Sequence, residues 1–263
     1  MLTSEQLKDY DRDGYLLLPD FFSASQMQRL EQVGVADQAL EEGARDHMDQ
    51  DGRVSRLSLH YALPDSAYAA YARSAAVVDP IEQLMGDRVF HYHHKMMMKE
   101  PLVGGAWEWH QDFGYWYSSF LFPDMGSCMI AVDRASRANG CLQVLAGSHR
   151  MGRLDHGKVS SQTGIDLERV PVVEERLERV YCEMEPGTVL FFHSNLLHRS
   201  DANESPHRRW ALICCYTATF NTPFHEGAVG DFTPFERWNP AQVADAVETH
   251  AARLAGEAGA VKG

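Results

Sequence analysis

No apolar run in this 263-residue chain reaches the roughly 18 to 20 residues that a membrane span needs. No CxxC pair occurs among its five cysteines, and their odd number argues against a disulfide framework and for a reducing compartment. Cys128, Cys141, Cys214 and Cys215 sit in apolar runs and read as buried small hydrophobes. Positive charge is scarce: 24 Lys and Arg face 37 Asp and Glu, a net charge of −13 that opposes binding to nucleic acid or an anionic membrane. The N-terminus has no apolar core of a signal peptide, so the expected location is cytoplasmic. Internal repeats and low-complexity linkers are also missing. What remains is a chain long enough for one large domain with a full core.

Within that domain three regions are expected. Residues 1–87 read as mostly helical support, 88–220 as a β-rich core, and 221–263 as an extension ending in a helix. A short helix over 4–13 precedes a strand at Tyr15–Pro19, and a second helix capped by Ser23 or Ser25 runs to about Glu42. Arg53–Leu63 alternates as a strand does, and Ala67–Met85 is alanine-rich and helical with an interruption expected near Pro80. From Val89 onward the texture becomes short β segments at Val89–Lys99, Ser127–Val132, Cys141–Leu145, Arg179–Met184, Thr188–His193 and Arg209–Phe220. Many short strands with turn residues between them predict a sandwich or barrel, and helices confined to one end predict a layer on one face. The fold class is therefore mainly β with flanking helices: a double-stranded β-helix, or jelly roll, with an N-terminal helical layer. Residues 151–182 show little periodicity and read as an irregular lid or binding insertion. Ala241–Ala258 is an alanine-rich helix whose Val and Leu residues form a core-facing stripe.

The chemistry concentrates in two segments. Trp107-Glu-Trp-His-Gln-Asp112 offers His110 and Asp112, which share a face if the segment is extended. Pro186-Gly-Thr-Val-Leu-Phe-Phe-His193 reads as a turn and an apolar strand that delivers His198 just past its end. Two histidines and a carboxylate leave three positions of an octahedral ion open, the arrangement associated with non-haem Fe(II) oxygenases. A guanidinium shortly afterwards, Arg209 or its neighbour Arg208, suits the far carboxylate of a bidentate organic acid, because Arg is permanently charged and forks onto carboxylates. Adjacent side chains on a strand face opposite ways, so only one can enter; Arg209 is the choice. His193 falls inside the apolar strand and reads as a supporting or core residue. His91, His93 and His94 cannot all converge from one strand, so a second metal site is not expected there. His149 reads as structural.

These motifs resemble the phytanoyl-CoA dioxygenase family of Fe(II)- and 2-oxoglutarate-dependent oxygenases. The matching residues are His110-Gln-Asp112, Asn139-Gly-Cys-Leu-Gln-Val-Leu-Ala-Gly-Ser-His149, Pro186-Gly-Thr-Val, and His198 with Ser200, Asn203 and Arg209, over roughly residues 88–220. A weaker match lies at Asp13-Gly-Tyr-Leu-Leu-Leu-Pro19. The resemblance implies a jelly roll, iron held by His110, Asp112 and His198, and 2-oxoglutarate anchored by Arg209 with help from Ser200. With O2 the co-substrate would be decarboxylated to succinate and a C–H bond hydroxylated; the presence of Asp112 favours hydroxylation over halogenation. Lys95, which shares a strand face with Met97 and Lys99, is the candidate for a further oxoglutarate contact. Gln111, Trp107, Trp116, Tyr117, Gln162 and Arg137 are the substrate candidates, since they flank the metal motif or the 151–182 insertion. The net charge points to a small neutral, zwitterionic or cationic substrate, and the family's acyl-CoA substrate is not carried over. The competing readings are a cupin-like metalloenzyme without 2-oxoglutarate and a non-catalytic barrel that binds a small ligand.

Overall fold

The computed structural model describes residues 1–159, 162–166 and 168–260. Its N-terminal part runs α1 (Ser4–Asp13), β1 (Tyr15–Leu18), α2 (Ala24–Ala36), α3 (Gln38–Glu42), β2 (Arg45–Met48), β3 (Val54–His60), α4 (Ala67–Arg73) and α5 (Ala75–Met85). The β-rich part follows with β4 (Val89–Lys99), β5 (Trp107–His110), α6 (Asp112–Trp116), β6 (Met125–Ala131), β7 (Leu142–Leu145), β8 (His156–Val159), β9 (Gln162–Ile165), α7 (Arg169–Glu174), β10 (Arg179–Cys182), β11 (Val189–His193), β12 (His198–Ser200) and β13 (Arg209–Ala218), and α8 (Pro240–Ala260) closes the chain.

Two antiparallel sheets carry the fold. One has seven strands in the order β1-β11-β6-β13-β4-β3-β2, the other four in the order β10-β7-β12-β5. The sheets pack face to face as a jelly roll that does not close into a barrel, which matches the expected class. Every residue of β13 is buried, because the seven-stranded sheet is covered on both faces. Trp210, Leu212, Cys214 and Tyr216 pack with the helices, while Ala211, Ile213 and Cys215 face the four-stranded sheet. The period of two thus divides one strand between two cores. α4 and α2 meet α8 on the helical side, with Val243 and Val247 of α8 buried.

Three expectations are corrected. The helix from Ser23 does not run unbroken to Glu42. It stops at Asp37, which caps α3 by accepting from the Leu40 amide at 3.0 Å and also accepts from the Tyr68 hydroxyl at 3.0 Å. The 67–85 helix breaks at Ser74 and not at Pro80, which α5 accommodates. Trp238 intrudes there: its amide donates to the Arg73 carbonyl and its carbonyl accepts from Ala75, both at 2.9 Å. The 151–182 segment is not irregular, since it contains the β8–β9 hairpin and α7. Leu154, Ile165 and Val173 of this segment bury Trp109, Leu145 and Leu197 on the outer face of the four-stranded sheet.

Gly187 holds the turn that enters β11. Its φ is +90°, and a Cβ there would lie 2.0 Å from the Phe22 carbonyl oxygen. That position needs glycine twice over, for conformation and for space. Gly187→Ala should lower stability by about 2 kcal/mol or more, read as a lower urea midpoint at unchanged slope; an unmoved midpoint would refute the constraint.

Candidate active site

His110, Asp112 and His198 are brought together by one strand pair and one strand-to-helix junction. His110 ends β5, and its Cα partner across the ladder is His198, the first residue of β12. Asp112 begins α6, so the chain turns between the two ligand candidates where an extended run was expected. Convergence survives the turn. The imidazole Nε2 atoms of His110 and His198 each lie 3.9 Å from Asp112 Oδ1, and the two rings are 4.0 Å apart. All three residues are buried, with their ligand atoms within 4.8 Å of one another.

The surroundings fix the form each group takes. His110 Nδ1 donates to the Glu108 carbonyl at 2.7 Å and His198 Nδ1 to the Leu196 carbonyl at 2.9 Å. Each Nε2 lone pair is thereby turned to the shared centre. Burial, and for His110 also the facing His198, pushes both imidazoles below their ordinary range, which keeps them neutral. Ser127 donates to Asp112 Oδ2 at 3.3 Å and leaves Oδ1 facing the histidines. A neutral, oriented donor set of two nitrogens and one carboxylate oxygen fits a divalent first-row metal with open positions.

The cluster opens onto a cavity of about 430 Å³ between the sheets. Arg209 lines this cavity at only 2% exposure, and among the described residues its guanidinium has no acidic partner; Nε is without any hydrogen bond. Burial lowers its pKa to about 10, so it stays a cation at neutral pH. A buried, unanswered guanidinium facing a cavity is a site for a carboxylate. Arg208 instead points away, paired with Asp133 and Glu31 and stacked on Trp210 at 4.6 Å.

Ser200 also lines the cavity. Behind it stands Lys99, a residue that the sequence reading left without a role. Its ammonium is sealed from solvent and donates to Ser200 Oγ at 2.9 Å and to the Asp201 carbonyl. Burial, reinforced by Arg209, drives the Lys99 pKa well below its usual value. The period-two face Lys95-Met97-Lys99 contained this signal, and the register completes it by setting Lys99 opposite Arg209. Lys95 does line the cavity, but four residues along β4, about 13 Å on an extended strand, from Lys99.

Of the six substrate candidates the cavity takes two, Trp107 and Trp116. Gln111 is fully buried and structural: its side chain donates to the Asn195 carbonyl at 3.0 Å and accepts from the Leu154 amide at 2.8 Å. Gln162 caps the edge of β5, accepting from Glu108 N at 3.0 Å and donating to the Ala106 carbonyl at 2.8 Å. Tyr117 is 49% exposed beneath Arg153, and Arg137 lies on the surface beside Glu183 and Tyr181. Gln111 and Tyr117 flank α6, where side-chain direction is not encoded by proximity in sequence, while Gln162 starts β9 and Arg137 lies in a surface turn. His193 and His149 lie outside the lining, as expected of supporting residues. The lining adds Tyr61, Tyr92 and Tyr115, and also His93, which the sequence suggested only as a rejected metal ligand.

Residues 10–211 match the family described as phytanoyl-CoA dioxygenase (PhyH). The chain is 30% identical over 238 residues to L-proline trans-4-hydroxylase of Streptomyces griseoviridis, covering 82% of this chain and 87% of that protein. It is 28% identical over 236 residues to the ectoine dioxygenase of Sphingopyxis alaskensis, covering 84% and 77%. The crystal structure of EctD from S. alaskensis with bound Fe superposes with a TM-score of 0.71 at 26% identity, over 89% of this chain and 82% of that one. Another, with 2-oxoglutarate and 5-hydroxyectoine, gives 0.70 at 26% identity over 92% and 86%. Among the described residues no helix is long and apolar enough to cross a membrane.

Gln111→Leu should cost about 2 to 3 kcal/mol of stability, since it strands a buried amide and a buried carbonyl. Urea unfolding measures this; an unchanged midpoint would return Gln111 to the list of substrate contacts.

Proposed function

The chain belongs to the phytanoyl-CoA dioxygenase family, and we propose that His110, Asp112 and His198 hold its Fe(II) while Arg209 and Ser200 hold 2-oxoglutarate. It is a 2-oxoglutarate-dependent dioxygenase with a small-molecule substrate. When bound, the metal supplies O2 activation coupled to oxidative decarboxylation of 2-oxoglutarate to succinate and CO2, with hydroxylation of an unactivated C–H bond.

The protein's share is placement. The two Nδ1 to carbonyl bonds lock both imidazoles with Nε2 inward, and Ser127 orients the carboxylate. Arg209 meets the C5 carboxylate of the co-substrate with its fork, and Ser200, whose oxygen already accepts from Lys99, keeps its own proton for that carboxylate. Lys95 carries its charge to the other end: it is felt by His110 and His198, which suits the metal-proximal C1 carboxylate. The aromatic wall of Trp107, Tyr115 and Trp116 keeps water from the reacting bond. The observation that carries this assignment is the buried Arg209, without an acidic partner, opening on the same cavity as the His-Asp-His cluster.

Anaerobic titration with Fe(II) and 2-oxoglutarate should produce a visible metal-to-ligand charge-transfer band. His198→Ala should abolish it, and Arg209→Ala should raise the 2-oxoglutarate needed for half-formation on the order of 100-fold, the range for stripping a buried charge of its partner. Bound iron without a band, or an Arg209→Ala titration like that of the wild type, would sink the assignment.

A further inference from the structure

The inward face of β4 changes character along its length. Lys99 stands opposite Arg209, Lys95 lies four residues from Lys99, and His93 two residues further on, and both Lys95 and His93 line the cavity onto which the His-Asp-His cluster opens. His93 is 4% exposed, and neither ring nitrogen has a hydrogen-bond partner among the described residues; Nδ1 is sealed, which leaves Nε2 as the nitrogen with open area. Burying an imidazole without a partner is costly, and nothing in the packing requires a polar ring there. Tyr92, Trp116 and Tyr61 surround it with ring centroids at 4.6, 5.6 and 5.7 Å. Desolvation and then the Lys95 charge hold His93 neutral, so it is no counter-ion.

Charge on the rest of the lining points the same way. Asp112 is the only acidic residue on it among the described residues. An ammonium entering this end would find no carboxylate. The cations are already engaged: Arg209 and Lys95 at the co-substrate, and Arg199 with Asp201.

We propose that His93 sets the specificity of the substrate half of the cavity by hydrogen-bonding a carbonyl or hydroxyl on an uncharged ring or chain enclosed by Tyr61, Tyr92 and Trp116. This rests on the oxygenase assignment above, and it removes the cationic class from the substrates that net charge alone allowed. The neutral imidazole gives direction to a segment that the aromatic walls hold only by area.

The test uses the enzyme loaded anaerobically with Fe(II) and 2-oxoglutarate, with three probes of equal ring size: cyclohexanecarboxamide, cyclohexylammonium and cyclohexanecarboxylate. Quenching of tryptophan fluorescence, which Trp107 and Trp116 should report, measures binding. The carboxamide should bind about tenfold more tightly than either charged probe. His93→Phe should erase that preference, and His93→Gln, which keeps a donor and an acceptor, should restore it to within about threefold. Neither variant should move the 2-oxoglutarate titration of the charge-transfer band. Tighter binding of the ammonium, or a preference intact in His93→Phe, would overturn the proposal. Fluorescence does not depend on the band, so loss of the probe preference with the band present condemns only the role of His93, and a missing wild-type band condemns the oxygenase assignment.

Discussion

Two cations buried side by side constrain everything else in this protein. Arg209 and Lys99 are register partners on the adjacent strands β13 and β4, both sealed from solvent, and among the described residues neither forms an ion pair with a carboxylate. Desolvation penalises both, and the Arg209 charge further lowers the tendency of Lys99 to stay charged. Such a pair persists only if packing elsewhere over-determines the two strands, and only a bound anion relieves it fully. On the proposed assignment that anion is 2-oxoglutarate, so co-substrate binding and fold stability are coupled through these residues.

The over-determination comes from the double cover of the seven-stranded sheet. β13 is buried along its whole length between β4 and β6, with helices against one face and the four-stranded sheet against the other. A central strand of this kind has no freedom to slip, because a shift of one residue would exchange the helical and cavity faces. Arg208 and Arg209 show what such a slip would cost. The first is satisfied by Asp133 and Glu31 on the helical side, and the second waits in the cavity. Each environment is wrong for the other.

The same logic explains how much the sequence disclosed. Val89–Lys99 was legible to the residue because its length and flanking turns agree. The convergence of His110, Asp112 and His198 was legible because residue type and order carry it: imidazoles and a carboxylate meet whether Asp112 extends a strand or opens a helix. Substrate contacts were not legible, because they depend on which way a side chain leaves the backbone at a junction. Gln111 lies between two ligand candidates and points into the protein, whereas Tyr61, more than forty residues upstream, reaches the cavity. The break at Ser74 was hidden for a different reason, since its cause, the Trp238 backbone, lies far along the chain. Lys99 stood in plain view and gained its role only through partners, Ser200 and Arg209, that alternation within one strand cannot supply.

Alternation also makes β4 a ruler for the reaction. Successive inward residues stand about 6.6 Å apart on an extended strand, and 2-oxoglutarate spans a similar distance between its two carboxylates. On the proposed assignment, a co-substrate whose C5 group is met at the Lys99 level has its keto acid end near the level of Met97, one step short of Lys95, whose charge reaches both histidines. His93 is the next inward residue of β4 beyond Lys95, and it is neutral and unpaired among the described residues. On the proposed assignment, the order of side chains on this strand, cation, methionine, cation, imidazole, runs from the co-substrate end of the cavity to the substrate end. The spacing of the pleat sets the distance between the position of the oxidant and the group that recognises what it oxidises.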